Sequence, residues 1–307
     1  MKVFAGSASK PLAQKVAHAI AKELSQIELH VFPDGEKRVR VVDKVIDEDC
    51  VVVQSTSTNA DKNYMELFFI VDALKRSGAK KITAVIPYLG YQRQDHVFRD
   101  GEAVSLEVII KMLEALGVNK VITFDLHSIK IPEFFKIPVV HLSALPLFAE
   151  KIKKIDSGTD YFLVSPDMGG TRRIKILSEI LNNMPYATIE KDRDLKSGKI
   201  EVSEIHGNVG KVAFVVDDMI STGNTIVAAA ELLNKNGVKR IVVFATHPVF
   251  SGNAAKTLQE SSVEKVFVTD TIAIPKEKQF KKLEVLSVAE MIAKNLKTQM
   301  SNVKSAS

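Results

Sequence analysis

The fold of this chain is best predicted from residues 211–225, which read KVAFVVDDMISTGNT. An apolar run at 212–216 is followed directly by two carboxylates, Asp217 and Asp218. The run predicts a buried strand, and the polar loop after it predicts a turn that leads into a helix. Backbone N–H groups at a helix N-terminus are unpaired and lie at the positive end of the helix dipole, so they attract phosphate groups.

The loop after the two carboxylates has the composition of an anion-binding turn. Gly223 lets the backbone approach a ligand, and the hydroxyls of Thr222 and Thr225 can donate to phosphate oxygens. Asp217 and Asp218 can hold sugar hydroxyls or a divalent cation. The stretch therefore predicts a sugar-phosphate site, with ordinary helix capping as the alternative.

Length and composition indicate a globular chain that is long enough for two domains. It has 307 residues, of which 46% are hydrophobic and 26% are charged. The net charge of +5 fits anionic small substrates as readily as nucleic acid. Because no basic stripe alternates with aromatic residues, we expect no nucleic-acid partner.

Cysteine usage and hydropathy indicate the compartment. Cys50 is the only cysteine, which excludes an intrachain disulfide and fits a reducing environment. No apolar run approaches the ~20 residues of a membrane span, and the N-terminus lacks a signal-peptide core. We therefore expect a cytoplasmic protein that does not bind membranes.

One pattern recurs along the chain: a helix ends in Gly, a basic residue follows, and an apolar strand begins. The strands are apolar without alternation, which is typical of parallel sheets covered by helices on both faces. The predicted strands are 51–53, 82–86, 121–124, 162–164, 212–216 and 241–245, and predicted helices include 12–24, 64–76, 106–115 and 225–234. Regular alternation of strands and helices places the chain in the α/β class.

The pattern occurs on both sides of residue 145, which predicts two similar doubly wound domains with parallel sheets. We expect an N-terminal domain at residues 1–145 and a C-terminal domain at residues 146–297. The segment HLSALP at 141–146 is the expected junction. The polar residues 298–307 are expected to form a flexible tail.

Polar segments also follow four other predicted strands, at the end where open α/β sheets bind ligands. Asp125 and His127 could offer a carboxylate and an imidazole on one side of a strand. Asp167 precedes a Gly-rich turn and could hold magnesium beside a phosphate. The structural alternatives are a satisfied histidine and a capped turn with solvated arginines. The segments are YLGYQRQDHVFRDGE (88–102), FDLHS (124–128), SPDMGGTRR (165–173) and THPVFSG (246–252).

Two charged or aromatic segments could also contact a nucleotide. Lys191 and Arg193, two residues apart, could point the same way and neutralise a phosphoryl group. Phe32, in the turn FPDGE, could stack on a base. Arg93 and Gln94 lie in a long loop and could contact phosphates or a base edge. A solvated surface is the alternative for each segment.

Taken together, these segments resemble the ribose-phosphate diphosphokinases, also called phosphoribosyl pyrophosphate synthetases. The resemblance rests on the ordered set FPDGE, YQRQD, FDLHS, SPDMGGTRR, EKDRD, VVDDMISTGNT and THPVFSG, which runs over nearly the whole chain. It implies phosphoribosyltransferase-like domains that transfer the β,γ-diphosphoryl group of ATP to O1 of ribose 5-phosphate with Mg²⁺, releasing AMP. It also implies a homo-oligomer, at least a dimer, with an ATP site shared between neighbouring subunits.

The resemblance implies a role for each matching residue. The ATP contacts would be Phe32, Asp34, Gly35, Glu36, Arg93, Gln94 and Arg99. The metal or its waters would be held by Asp125, His127 and Asp167, and Lys191 and Arg193 would act in catalysis. Ribose 5-phosphate would be bound by Arg193, Asp217, Asp218, Ser221, Thr222, Gly223, Asn224 and Thr225.

Several positions depart from the family pattern. Lys136 and Val140 fall where many members carry Asp, and Ser221 replaces a third Asp. The loop HVFRDGEAVS at 96–105 looks more like the archaeal branch, so we expect the chain to lie closest to that branch. The resemblance therefore does not allow us to predict whether this chain is inhibited by ADP or activated by phosphate, as members of the family can be.

Two other functions are considered. A phosphoribosyltransferase shares the acid–acid–hydroxyl loop, but such chains are usually single domains and do not need Phe32, Arg93, Gln94 and His127. A catalytically silent regulatory homologue is the other alternative. Retention of Lys191 and Arg193 argues against it, because loss of these cations is the simplest way to abolish transfer.

Overall fold

The computed structural model describes residues 1–155, 160–193 and 200–304. In chain order the strands are β1 (Lys2–Ala5), β2 (Ile27–Val31), β3 (Lys37–Val41), β4 (Asp49–Val53), β5 (Lys81–Val85), β6 (Lys120–Phe124), β7 (Val139–Leu142), β8 (Tyr161–Ser165), β9 (Tyr186–Arg193), β10 (Ile200–Gly207), β11 (Val212–Ile220), β12 (Arg240–Pro248), β13 (Lys265–Thr269) and β14 (Leu283–Leu286). The α-helices are α1 (Lys10–Ala19), α2 (Ala60–Arg76), α3 (Ser105–Leu116), α4 (Leu145–Lys154), α5 (Thr171–Ile180), α6 (Asn224–Lys235), α7 (Ala254–Glu260) and α8 (Ala289–Lys304).

The chain divides into two units. The first unit comprises Met1–Leu142, Thr271–Ala273 and Ser287–Ser307, and the second comprises Ser143–Asp270 and Ile274–Leu286. Residues from 287 onward therefore belong with the first unit, whereas residues up to 297 were expected in the second domain. The reason is that α8 packs against α1. Helix α8 also continues to Lys304, into the segment expected to be a flexible tail.

The first unit is built on a parallel sheet with the order β1-β4-β5-β6-β7. Phe4, Val52 and Ala84 face one apolar cluster together with buried residues of α2 and α3. Val3 and Val51 alternate with these residues and are also buried, and α1 packs against β1 and β4. Because both faces of the sheet are covered, the strands read as continuous apolar runs.

Strands β2 and β3 form a separate antiparallel hairpin in the first unit. Ile27 pairs with Val41 at one end of the hairpin, and Val31 pairs with Lys37 at the other end, next to the turn. Most of β2 is exposed. Strand β3 of the hairpin packs against α2. The side chains of Ile27, Val39 and Val41 pack on the apolar core of the first unit.

The second unit contains a sheet with the order β10-β9-β8-β11-β12-β13-β14, in which only the β9–β10 pair is antiparallel among the described strands. Helices α4 and α5 pack on one face with Phe214 and Phe244. Helices α6 and α7 pack on the other face with Ala213 and Val215. This unit is doubly wound, and the predicted class, α/β with parallel sheets, is confirmed.

The order of the second sheet reverses between β8 and β11. From β8 the chain passes through α5 to β9 on one side, and β11 returns to the other side of β8. In open α/β sheets, ligands bind beyond the carboxyl ends of the strands at such a reversal. The segments after these two strands are therefore where the fold favours a ligand.

Four predicted element ends are wrong by three residues or more. Helix α2 begins at Ala60 rather than at residue 64, and strand β12 continues to Pro248 rather than ending at residue 245. Helix α1 ends at Ala19 rather than at residue 24, because Ala21 adopts a left-handed conformation and Leu24 forms a bridge with Val3. Strand β11 continues to Ile220 rather than ending at residue 216, since β12 extends alongside it. Among the described residues, no helix is both long and apolar enough to cross a membrane.

Candidate functional site

The two carboxylates lie in the part of β11 that extends beyond its described pairing with β8. The described pairing of β11 with β8 reaches Val215, opposite Val164, while its pairing with β12 continues through Asp217, opposite Ala245. Asp217 and Asp218 therefore stand within a strand rather than in the loop after it. They lie beyond the last described rung with β8, at the reversal of strand order.

Arg173 brings a guanidinium to both carboxylates. Its Nη1 lies 3.3 Å from Asp217 Oδ1, and its Nη2 lies 3.6 Å from Asp218 Oδ2. The arginine side chain is only 16% exposed. Sequence analysis missed this role, because both arginines of SPDMGGTRR were considered at most as solvated residues. No local sequence signal indicates this role, because it depends on the pairing of β8 with β11.

The electrostatics of this pair are unfavourable without a ligand. Burial raises the pKa of Asp217 well above its usual range, and the charge of Asp218 and a hydrogen bond between the two side chains raise the pKa further. Arg173 acts in the opposite direction, and Asp167 adds a smaller raising effect. Arg173 therefore does not offset the combined effect of burial and of the neighbouring carboxylate on the pKa of Asp217. A ligand with hydroxyl donors or a cation would relieve this repulsion.

The loop after β11 leads into α6 and is braced by the segment that follows β12. Gly223 occupies the position before α6 with φ +83°, a left-handed conformation that favours glycine. Gly223 has no side chain to cap the helix, but Asn224 N donates to Thr222 Oγ1 at 3.5 Å, so the capping alternative stays open for Thr222. Ser251 N donates to Ser221 O at 2.9 Å, and the two serine Oγ atoms are 3.2 Å apart. The segment THPVFSG thus supports the predicted phosphate loop.

The turn after β8 uses its own side chains to hold its shape. Asp167 Oδ1 accepts a hydrogen bond from Gly170 N at 3.1 Å, and Ser165 Oγ donates to Asp167 O at 2.7 Å. Residues Met168–Gly170 form a 3₁₀ turn that leads into α5. One oxygen of the predicted metal ligand Asp167 is therefore engaged within the turn.

In the first unit, two side-chain acceptors hold the turn that contains Asp125 and His127. Leu126 N donates to His141 Nε2 at 2.9 Å, and His127 N donates to Gln92 Oε1 at 3.0 Å. Asp125 has φ +26°, a conformation that needs such support. The structure thus joins the turn after β6 to the loop after β5.

Gln92 was not singled out by sequence analysis. It is fully buried, and its Nε2 has no hydrogen-bond partner among the described residues. It immediately precedes Arg93 and Gln94, which are exposed. Arg99 is also exposed, and its backbone N–H donates to Glu102 Oε2 at 3.1 Å. The predicted phosphate contacts are thus accessible, on a loop anchored by Gln92.

The predicted base-contacting segment is the turn of the β2–β3 hairpin. Phe32 N donates to Glu36 O at 2.8 Å, and Asp34 Oδ1 accepts from Glu36 N at 3.0 Å. Gly35 has φ +94°. The ring of Phe32 is 37% exposed and meets His30 edge-on at 4.6 Å. An exposed ring on a closed turn suits stacking on a base.

Lys191 and Arg193 lie in β9, opposite Val202 and Ile200 of β10. Their spacing of two puts them on the same face of the strand, as the sequence predicted. Their side chains lie outside the described part of the structure, so their predicted catalytic role is not tested by the geometry.

A different group has metal-ligand spacing. Among the described residues, the group of three found close enough to share an ion is Glu190, Glu204 and His206, all exposed on the β9–β10 hairpin. His206 Nε2 lies 2.8 Å from Glu190 Oε2, and this contact raises the pKa of His206. None of the predicted ligands Asp125, His127 and Asp167 belongs to this group. Exposed acidic groups of this kind are common without an ion.

A doubly wound α/β unit with an acid pair at its strand reversal, followed by a loop of glycine and hydroxyl residues, is the arrangement expected of an α/β protein that binds a sugar phosphate. Residues 1–117 match the family model described as the N-terminal domain of ribose phosphate pyrophosphokinase. Residues 189–307 match the model described as the phosphoribosyl synthetase-associated domain.

Individual relatives agree with the family models. Ribose-phosphate pyrophosphokinase 1 of Streptococcus pyogenes is 41% identical over 95% of this chain and 92% of its own length. Ribose-phosphate pyrophosphokinase 2 of Enterococcus faecalis is 39% identical over 97% of this chain and 92% of its own length. The crystal structure of phosphoribosylpyrophosphate synthetase from Mycobacterium smegmatis superposes with a TM-score of 0.91 at 34% identity, covering 98% of this chain and 99% of that one.

The chain belongs to the ribose-phosphate pyrophosphokinase family. The predicted family is thereby confirmed. The relatives named above are all bacterial, so they do not support the expected closeness to the archaeal branch.

We expect Gly170→Ala to distort the turn after β8, because a Cβ at this position would lie 2.3 Å from Ser165 Oγ. Overpacking of this kind costs about 1–3 kcal/mol of unfolding free energy, measurable by urea denaturation. Gly169→Ala is the control, since its Cβ would meet only Asp167 Oδ1, at 3.3 Å. Its effect should stay within about 0.5 kcal/mol. Equal stability of the two variants would contradict this account of the turn.

We expect Asp217→Asn to stabilise the ligand-free protein at neutral pH. Because the pKa of Asp217 is raised on folding, the folded state binds more protons than the unfolded state between the ordinary and the raised pKa, so stability falls as pH rises through that window. The amide keeps an Oδ1 acceptor for Arg173 and for Asp218 N but removes the charge. Urea denaturation across pH should therefore show a higher and flatter profile than wild type.

The matched control is Asp72→Asn, which removes a carboxylate from an exposed i,i+4 pair with Arg76. That change should alter the unfolding free energy by less than about 1 kcal/mol. If Asp217→Asn destabilised the ligand-free protein at neutral pH, repulsion between the buried carboxylates would not be the dominant effect.

Proposed function

We propose that this chain transfers the β,γ-diphosphoryl group of ATP to the 1-hydroxyl of ribose 5-phosphate, giving 5-phospho-α-D-ribose 1-diphosphate and AMP for nucleotide biosynthesis. The observation that carries the proposal is the buried Asp217–Asp218 pair, followed in the chain by the braced loop 221–225. Membership of the ribose-phosphate pyrophosphokinase family supports the same reaction.

Ribose 5-phosphate would bind in the second unit. The carboxylates of Asp217 and Asp218 would accept hydrogen bonds from the ribose hydroxyls, which relieves their mutual repulsion. The backbone N–H groups and hydroxyls of Ser221, Thr222, Gly223, Asn224 and Thr225 would hold the 5-phosphate at the start of α6. One ligand would thus relieve the repulsion between the carboxylates and place its phosphate at the N-terminus of α6.

ATP would be held by residues of the first unit. The exposed ring of Phe32, with Asp34, Gly35 and Glu36 of the same turn, would contact the adenine moiety in a site shared with a neighbouring subunit. Arg93 and Arg99 would pair with the phosphates, and Gln94 would complete the site. This arrangement requires a homo-oligomer of at least two chains.

Magnesium is the cofactor that the proposed reaction needs. Asp125 and Asp167 offer carboxylate oxygens, which suit this hard cation, and an engaged Asp167 oxygen fits an ion that keeps several waters. His127 is better suited to hold such a water than to bind the ion itself, because nitrogen is a poor ligand for magnesium. Bound magnesium would neutralise charge on the phosphate oxygens.

The chain's own contribution to catalysis would be alignment and charge. Diphosphoryl transfer leaves little covalent chemistry to the protein, so positioning and electrostatic stabilisation dominate. Lys191 and Arg193, on one face of β9, would stabilise the charge that develops on the transferring group, and Arg193 would also contact ribose 5-phosphate.

Two finer assignments are part of the proposal. The absence of a spanning helix among the described residues is compatible with the cytoplasm as the site of action. The archaeal-type assignment rests on the loop at 96–105 and has no support from the bacterial relatives.

The proposed reaction is tested by incubating the protein with ATP, magnesium and ribose 5-phosphate. We expect stoichiometric AMP and a diphosphorylated sugar. Lys191→Ala and Arg193→Ala should each lower kcat about 10²-fold or more while changing KM much less, because their charges act in the transition state.

The control is Lys211→Ala, which removes an exposed cation just before β11, at the end of the strand opposite the carboxylates. Its kcat should equal that of wild type. AMP formation without ribose 5-phosphate, or no reaction at all, would contradict the proposed function. Full activity of both the Lys191→Ala and the Arg193→Ala variants would remove Lys191 and Arg193 from the mechanism.

A further inference from the structure

The carboxylate of Glu66, on α2, is buried and fully engaged, although no family motif quoted above includes it. Its side chain is 1% exposed. Glu66 Oε1 accepts from Ser7 N at 2.6 Å and from Gln54 Nε2 at 3.3 Å, and Oε2 accepts from Ser7 Oγ at 2.9 Å. These contacts fix Glu66 to the segments that follow β1 and β4. They supply no positive charge.

The positive charge comes from Lys37. Lys37 Nζ lies 2.6 Å from Glu66 Oε2 and also donates to Lys62 O at 3.2 Å. The lysine side chain is 15% exposed. An ion pair in such surroundings is strongly affected when one partner is removed, because the other charge is left buried without compensation.

The ion pair lies at the end of the hairpin where apolar anchoring is weakest. Ile27, Val39 and Val41 pack on the core of the first unit. In contrast, Val31, opposite Lys37, is 53% exposed. Lys37 immediately follows the turn 32–36. The Lys37–Glu66 pair is therefore the charged anchor next to the turn.

We propose that Glu66 is a positioning residue that, through its ion pair with Lys37, holds the turn 32–36 in the orientation that receives the nucleotide. The inference rests on the proposed function, which assigns Phe32, Asp34 and Glu36 to ATP. A turn fixed before binding loses less conformational freedom when the nucleotide arrives. Without the ion pair, the hairpin keeps its apolar anchors, but its turn is free to move relative to α2.

The test compares three variants of the full-length protein with wild type. Lys37→Met keeps an unbranched side chain but removes the charge, and Lys37→Arg retains a cation. The double variant Lys37→Met with Glu66→Gln also removes the buried charge that the single variant leaves unpaired. Urea denaturation reports stability, while steady-state kinetics report kcat and the KM values for ATP and ribose 5-phosphate separately.

We expect Lys37→Met to raise KM for ATP about tenfold, with KM for ribose 5-phosphate within about twofold of wild type. Lys37→Arg should recover most of the ATP affinity. In the double variant, stability should recover toward wild type because no charge is left unpaired, but KM for ATP should remain raised because the anchor is still missing.

Arg40→Met is the matched control. It removes a cation from the same hairpin, but the pair with Glu28 is exposed, at 67% and 59%. Neither KM should change. The inference is overturned if KM for ATP stays at the wild-type value in Lys37→Met. It is also overturned if KM for ATP returns to wild type together with stability in the double variant, which would indicate a purely structural ion pair.

Failure of the inference and failure of the proposed function are distinguishable. Wild-type turnover of ATP with ribose 5-phosphate tests the function. If wild type did not turn over, calorimetric titration with ATP and magnesium would give the same comparison of affinities among the variants. Unchanged ATP affinity in Lys37→Met would then overturn the inference, and a loss of about tenfold would support it.

Discussion

The burial of two adjacent carboxylates within β11, in contact with the guanidinium of Arg173, is the constraint on which the candidate site depends. Asp217 and Asp218 are 9% and 5% exposed, and Arg173 lies within 3.3–3.6 Å of both. Burial and mutual repulsion disfavour this arrangement in the ligand-free protein, as the raised pKa of Asp217 indicates. Such a cost is typical of a site that is completed by its ligand.

The fold determines where in the sheet these two carboxylates are buried. Parallel strands covered on both faces favour apolar residues where neighbouring strands flank them on both sides. In β11 this flanking ends at Val215, the last residue paired with β8. The strand order also reverses between β8 and β11, and α5 and α6 are the helices that follow these two strands. Arg173, the turn at Asp167 and the loop at Gly223 are all consequences of that topology.

The sequence allowed a correct prediction of what local patterns determine. Apolar runs located the strands β4, β5, β6, β8, β11 and β12, and a helix was predicted after the polar turn that follows β11. What could not be predicted depends on pairing between distant segments. The extension of β11 to Ile220 needs β12 alongside it, and α8 joins the first unit because it packs on α1. Neither of these contacts can be recognised from a short stretch of sequence.

Contacts between distant residues explain the missed functional residues as well. Arg173 meets Asp217 across 44 positions, Gln92 meets His127 across 35, and Lys37 meets Glu66 across 29. Each of these side chains looks like an ordinary polar surface residue in the sequence. Each becomes recognisable only when the fold brings a second segment against it.

The central claim is tested most directly by the pKa of Asp217, measured by NMR with ¹³Cγ-labelled aspartate in the free protein and with ribose 5-phosphate. The account predicts a pKa well above the ordinary value of about 4 in the free protein, and a lower pKa once ribose hydroxyls donate to the carboxylate. An ordinary pKa in both states, unchanged by the sugar phosphate, would contradict it.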